Sequence, residues 1–346
     1  TFYFQGNDVV FPNINSTPFW KMLLVFLVGC TLIPLPLSWD IRGWTEMHPL
    51  DGPAWTLYFE YIGNILYGLI VRRFSKLMLG ALVVIAALRL VANVYLARRL
   101  TAPDRHAVER PASPTVTEWT ISEGGPRLRG WRTTAPATRA VVVFAHGYRN
   151  DRSLGLPLAA PLARRGMGLV TFDFRAHGAS DGDRITFGHR ERGDVARVLD
   201  LARAERRPVA WVGFSMGSAA YLLSGVEADA AVLDSPYAEL DGAQRSRFGP
   251  LYAWGLPLTR ALVAWRVGAP LSAVRPVDHV ASLTRPTRFL FAEHDHWVPP
   301  DAQDRMRQRR CAQCEFVLLR GAEHGGHMTH AWAEGVASWL DATLPR

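Results

Sequence analysis

Apolar positions are arranged in two different ways along this chain of 346 residues. Up to about residue 97 they run together. Met22 to Trp39 holds no charged side chain, Pro53 to Val71 holds only Glu60, and Leu77 to Ala97 holds only Arg89. Each is close to the ~20 apolar residues that cross a hydrocarbon core. The pattern predicts about three membrane-embedded helices within residues 1–97, the last at 77–97, with Trp20, Trp55 and Tyr58 near the run ends as interfacial aromatics. Pro34 and Pro36 interrupt the first run, and Arg72, Arg73 and Lys76 before the third with Arg98 and Arg99 after it make that one the strongest anchor. Basic residues at both ends leave the orientation open.

From Val116 the apolar residues instead come in short blocks. Strands are predicted at Val116 to Ile121, Arg127 to Arg132, Val141 to Ala145, Gly168 to Asp173, Val209 to Phe214, Ala230 to Asp234, Thr287 to Ala292 and Glu315 to Leu319. The later blocks are continuously apolar, as in a parallel sheet covered on both faces. Between them lie helical patterns, clearest at Asp194 to Arg206, where Val195, Val198, Leu199 and Ala202 form one stripe. Eight strands, mostly alternating with helices, predict a doubly wound α/β domain whose site lies at the carboxyl ends of the strands. Pro103, Pro111 and Pro114 mark residues 98–114 as a linker, so residues 115–346 are expected to form a domain of their own. An insertion at about 236–280 is too long for a simple crossover; Pro257 opens a helix in it, with Leu258, Leu262 and Trp265 on one face as a candidate cap.

The formal charge of +8 changes little. Basic residues are scattered singly, without a long run or an aromatic platform, so no nucleic-acid partner is expected. Isoleucine is concentrated before residue 80 and arginine after it, which points to a junction of two unlike pieces. Of three cysteines, Cys311 and Cys314 form a C-x-x-C without a second pair, either a reduced pair or a local disulfide, and no metal site is expected. His294, His296, His327 and His330 do not change that expectation.

The candidate chemistry lies in the strand-end loops. Gly213-Phe214-Ser215-Met216-Gly217 follows an apolar strand and precedes a helix-compatible stretch, the pattern of a nucleophile elbow. His146-Gly147-Tyr148 ends the third predicted strand, Asp295 follows the seventh and His324 the eighth. The order Ser, Asp, His on successive strand ends is that of a hydrolytic triad on an α/β sheet. Asp234 also ends a strand, but it precedes Ser235-Pro236 in a turn, which leaves Asp295 as the expected acid.

With these motifs, and with Asp173-Phe174-Arg175-Ala176-His177-Gly178-Ala179-Ser180, Thr186, Gly188, Glu191, Asp194 and Asp234-Ser235-Pro236, residues 115–346 resemble α/β-hydrolases of the serine-aminopeptidase and monoacylglycerol-lipase-like group. Ala292 stands where many members have glycine. The resemblance implies an α/β-hydrolase fold with an eight-stranded, mostly parallel sheet, helices on both faces and a short cap insertion, preceded here by hydrophobic membrane helices. It also implies Ser215 as nucleophile, His324 as base, Asp295 as its carboxylate, and the backbone N–H groups of Tyr148 and Met216 as the oxyanion hole. No cofactor is implied. The expected activity is membrane-associated hydrolysis of a carboxylic ester of a small or lipid-like acyl substrate, against peptidase or amidase activity, or a membrane-tethered binding protein that has kept the fold. Residues 7–87 resemble a fragment of the integral-membrane acyltransferase-3 family through His48-Pro49-Leu50-Asp51-Gly52-Pro53-Ala54-Trp55-Thr56-Leu57-Tyr58-Phe59-Glu60, but the match covers only a few helices and carries no acyltransferase activity with it.

Overall fold

The computed structural model describes residues 75–113, 115–133, 138–248, 257–309 and 311–345, with short pieces at 18–21, 23–24 and 62–65. The first two apolar runs lie almost wholly outside these residues, and so does the 48–60 stretch that carries the acyltransferase-3 resemblance. The third run is helix α1, Lys76–Thr101. Among the described residues it is the one helix long and apolar enough to cross a membrane.

The chain divides into two compact units, 1–89 and 90–346. In the second, a sheet is built from β1 (Val116–Ile121), β2 (Leu128–Thr133), β3 (Ala140–Ala145), β4 (Met167–Phe172), β5 (Val209–Phe214), β6 (Ala230–Asp234), β7 (Thr287–His294) and β8 (Cys314–Glu323). Their order across the sheet is β8-β7-β6-β5-β3-β4-β2-β1. The two pairings made by β2, with β1 and with β4, are antiparallel, and the rest are parallel.

The continuous apolar blocks are explained by the two cores. Val141, Val143 and Ala145 of β3 point into one, while Ala140, Val142 and Phe144 point into the other. The pleat sends alternate side chains to opposite faces, so a strand covered on both sides has no polar position to spare. Helix α2 (Arg192–Arg203) buries the predicted stripe Val195, Val198, Leu199 and Ala202 against the first core.

Two expectations change. The compact unit takes in residues 90–114, which the sequence pattern divides between the last membrane helix and a linker. Asn93, Ala97 and Thr101 are buried at every fourth position of α1, and Asp104–Arg105 pair in parallel with His177–Gly178. Small and polar side chains at that spacing give a narrow packing stripe that uniform hydrophobicity hides. In the insertion, α4 (Leu240–Phe248) and α5 (Pro257–Val267) form, but α5 buries Thr259, Val263 and Val267. Leu258 and Trp265, expected on the inner face, are exposed. Cys311 and Cys314 are joined by a disulfide.

Candidate active site

Ser215 sits between β5 and helix α3 (Met216–Ser224) with φ 50° and ψ −109°. A positive φ is strained for a side chain other than glycine, and the surrounding contacts hold it. The Ser215 N–H donates to the Asp234 carbonyl (2.8 Å). The Ser218 hydroxyl reaches the carbonyls of Gly213 (2.7 Å) and Asp234 (3.0 Å). The flanking glycines are required by space: a Cβ on Gly213 would lie 2.7 Å from the Ser218 nitrogen, and one on Gly217 would lie 2.3 Å from the Ala145 carbonyl oxygen. The turn thus brings the end of β3 against the start of α3 and leaves the Ser215 side chain above the sheet, where helix dipoles favour developing negative charge.

His324 is the first residue after β8, and its Nε2 is 3.0 Å from Ser215 Oγ. Its Nδ1 is 2.6 Å from Asp295 Oδ2. The carboxylate accepts at Nδ1–H, which assigns the tautomer whose Nε2 faces the serine hydroxyl. Asp295 is buried, and its other oxygen accepts from the backbone N–H groups of Trp297 and Val298, both at 2.8 Å. Phe214 and Trp297 lie beside the His324 ring. Gly325, with φ 74°, passes so close that a Cβ would lie 2.8 Å from the Phe214 ring.

Tyr148 and Met216 line one cavity with Ser215. Among the described residues, neither backbone N–H has a protein acceptor. An oxyanion site needs such donors, held in place and left free.

Asp234 belongs to a different network. It is buried, with Oδ2 2.7 Å from His327 Nε2 and 2.9 Å from Trp332 Nε1, while the Ser235 hydroxyl donates to Oδ1 (2.9 Å). His327 Nδ1 meets the Glu323 carbonyl (3.0 Å). Burial opposes charge on His327 most strongly, but the Asp234 bond and charge together outweigh it and raise its pKa above the ordinary histidine value. The remaining motif residues brace the loops. Asp173 accepts from the Arg152 and Ala179 N–H groups (both 2.8 Å) and pairs with the Arg152 guanidinium at 3.0 Å. Glu191 gathers the Thr186 N–H and hydroxyl and the Gly188 N–H. His146 and His177 are buried; desolvation pushes their pKa values down to about 4 and about 3. His146 Nε2 accepts the Phe174 N–H at 3.0 Å, which places it in the scaffold.

A model of the serine aminopeptidase S33 family matches residues 136–276, which hold the elbow and nearly all of the insertion. The structure is similar to an esterase of Pyrococcus furiosus, Pf2001, with a TM-score of 0.57 and 20% identity, covering 70% of this chain and 99% of that one. This is an α/β-hydrolase fold. Another solved protein with the same likeness is Est1E of Butyrivibrio proteoclasticus, bound to ferulic acid (TM-score 0.52, 19% identity, 65% of this chain and 98% of that one). In sequence, the chain is 22% identical to the uncharacterised protein YqkD of Bacillus subtilis over 229 residues, 62% of this chain and 75% of the relative. It is 25% identical to an uncharacterised protein of Mycobacterium tuberculosis over 209 residues, 59% and 70% respectively.

Sequence reasoning missed one part of the site. Leu96, Arg99 and Leu100, from the last turns of α1, line the cavity that holds Ser215. The Tyr148 hydroxyl donates to the Leu100 carbonyl (2.8 Å), and Arg149 donates to the Arg99 carbonyl (2.5 Å). These are end carbonyls of a helix, which need partners from outside it. The available signal was the Asn93, Ala97, Thr101 stripe.

Proposed function

We propose that this protein is a membrane-associated serine hydrolase that cleaves a carboxylic ester of a small or lipid-like acyl substrate. The observation that carries the reading is the hydrogen-bonded line from Ser215 Oγ through His324 to Asp295, 3.0 Å and 2.6 Å long. A serine hydroxyl is a weak nucleophile until a base takes its proton. His324 Nε2 accepts that proton as Ser215 Oγ bonds to the ester carbonyl carbon, and Asp295 stabilises the resulting imidazolium. The carbonyl oxygen becomes an oxyanion, held by the Tyr148 and Met216 N–H groups; each such donor is typically worth about 100- to 1000-fold in rate. The imidazolium then returns its proton to the leaving alkoxide as the carbon–oxygen bond breaks, which leaves an acyl-serine. Water, deprotonated by His324 in the same way, hydrolyses the acyl-serine and regenerates the site.

Membrane association is supported by the length and apolar character of α1. The esterase relatives among solved structures favour esters, whereas the family name attached to residues 136–276 favours a peptidase. A fluorophosphonate probe tests the nucleophile: labelling lost in Ser215→Ala supports it, and undiminished labelling rejects it. Comparing p-nitrophenyl acyl esters with aminoacyl p-nitroanilides then separates ester from amide cleavage.

A further inference from the structure

Ser215 is shared by two cavities that differ in what faces them. One, of about 350 Å³, is lined by His324 and Asn150 together with Leu154 and Met328. The other, of about 270 Å³, is lined mainly by carbon, from Leu96 and Leu100 of α1, Phe187, Met216, and Leu240 of α4, with Arg99, Arg149 and Gln244 as polar neighbours. His324 does not line this second cavity.

The chemistry tells the two apart. The imidazolium must hand its proton to the leaving alcohol, so the alcohol oxygen has to lie within reach of Nε2. The alcohol therefore occupies the cavity that contains His324. The acyl substituent, on the other side of the carbonyl carbon, is directed into the apolar cavity. A pocket whose surface is mostly carbon favours a hydrocarbon chain, because apolar surface is taken out of water as the chain packs.

Part of this acyl wall is the end of α1, which is fixed to the domain in several places. Asn93 and Ala97 are buried beneath it. The Tyr148 hydroxyl and Arg149 hold its last carbonyls, and Arg266 donates to the Thr101 hydroxyl. Leu96 and Leu100 are half-buried, one turn apart on the side that faces the cavity. Side chains held on a fixed helix set the depth and width of the space beside Ser215.

We propose that Leu96 and Leu100 are specificity-determining residues, and that the substrate carries a medium or long unbranched acyl chain whose hydrocarbon packs against the end of α1. This rests on the serine-hydrolase reading and assigns its acyl subsite.

The test uses the full chain in detergent with p-nitrophenyl acetate, butyrate, octanoate and laurate. In the unaltered protein kcat/KM is expected to rise from acetate to octanoate. Leu96→Trp and Leu100→Trp fill the cavity and should lower the octanoate-to-acetate ratio of kcat/KM at least tenfold. Because both rates come from the same preparation, the ratio is insensitive to the fraction folded. Leu96→Ala enlarges the space and should move the optimum toward laurate, which keeps the test decisive if a tryptophan variant fails to fold. Tyr95→Ala, on the exposed side of the helix, should leave the ratio unchanged. Ratios unmoved in the Leu96 and Leu100 variants, with ester hydrolysis intact, would overturn the acyl assignment and leave the hydrolase reading standing. A full chain that hydrolyses no ester and takes no fluorophosphonate label would remove the reading and the subsite with it.

Discussion

The side-chain oxygen of Asn93 on α1 accepts two hydrogen bonds from Thr259 at the start of α5, one from its N–H (3.1 Å) and one from its hydroxyl (2.7 Å). The first N–H groups of a helix have no partner within it, so Asn93 caps α5 from a different helix. Replacing it with leucine strands a buried N–H and a buried hydroxyl, at a cost of about 1–3 kcal/mol. The expected result for Asn93→Leu is a thermal midpoint lowered by several degrees. An unchanged midpoint would show that the cap is dispensable.

Cutting the chain at residue 115 removes the buried face of α1 and the partners of Tyr148, Arg149 and Thr259. A fragment of residues 90–346 is expected to unfold in one cooperative transition, at a higher temperature than a fragment of 115–346. Differential scanning calorimetry on the two decides it. Equal midpoints would put the domain boundary back at the proline-rich segment.

Ser215→Ala keeps the elbow and loses the nucleophile. Ester hydrolysis should drop by about 10^4- to 10^6-fold with the circular dichroism spectrum unchanged, and His324→Ala should be comparably severe. Either variant retaining a tenth of the activity would dismiss the proposed triad.

The two buried aspartates should fail in different ways. Asp295→Asn is expected to cut kcat by about 10^4-fold with little loss of stability, since the asparagine amide favours the wrong tautomer of His324. Asp234→Asn meets two donors, His327 and Trp332, with an amide at the position of a carboxylate. Its main effect should be on the thermal midpoint. The opposite pattern would make Asp234 the catalytic acid.

Stability should fall on both sides of neutrality. His146 and His177 titrate at about 4 and about 3 in the folded protein, well below the ~6.5 of the unfolded chain, so between these values the unfolded state binds more protons. Their contribution is complete above about pH 6.5 and is lost as pH falls toward the folded values. His327 has the reverse sign. Its raised folded pKa gives a contribution that is full below about pH 6.5 and disappears as pH rises through the folded value. Thermal midpoints of Ser215→Ala followed across pH should form a maximum between these limbs, and His177→Asn should flatten the acid limb. A midpoint constant between pH 4 and 6.5 would contradict the burial of the two histidines.

The elbow was readable in the chain because its chemistry leaves few options: the close approach of Gly217 to Ala145 and of Gly213 to Ser218 permits no Cβ, and the sequence displays that as two glycines around a serine. The strand blocks were readable because both faces of β3 and β5 are covered. Helix ends and faces were harder. Along α1 nearly every residue is apolar, so hydrophobicity cannot say which side packs; Asn93 and Thr101 carry that information, and only their distant partners Thr259 and Arg266 give it meaning. On α5 the larger side chains, Leu258 and Trp265, stay outside, and the smaller Thr259 and Val263 are buried.

Asp234 also bears on how the protein is made. Its buried carboxylate is met by His327 and Trp332, which are translated 93 and 98 residues later. At about 5–20 residues per second, the ribosome needs roughly 5–20 s to deliver them. During that interval the middle strands can associate, but the carboxylate at the end of β6 has only the Ser235 hydroxyl and water beside it. The interior beside Ser215 can therefore dry out only when the loop after β8 and the helix α6 (His330–Thr343) arrive, so the active site is completed well after the strands that carry Ser215 and Asp234.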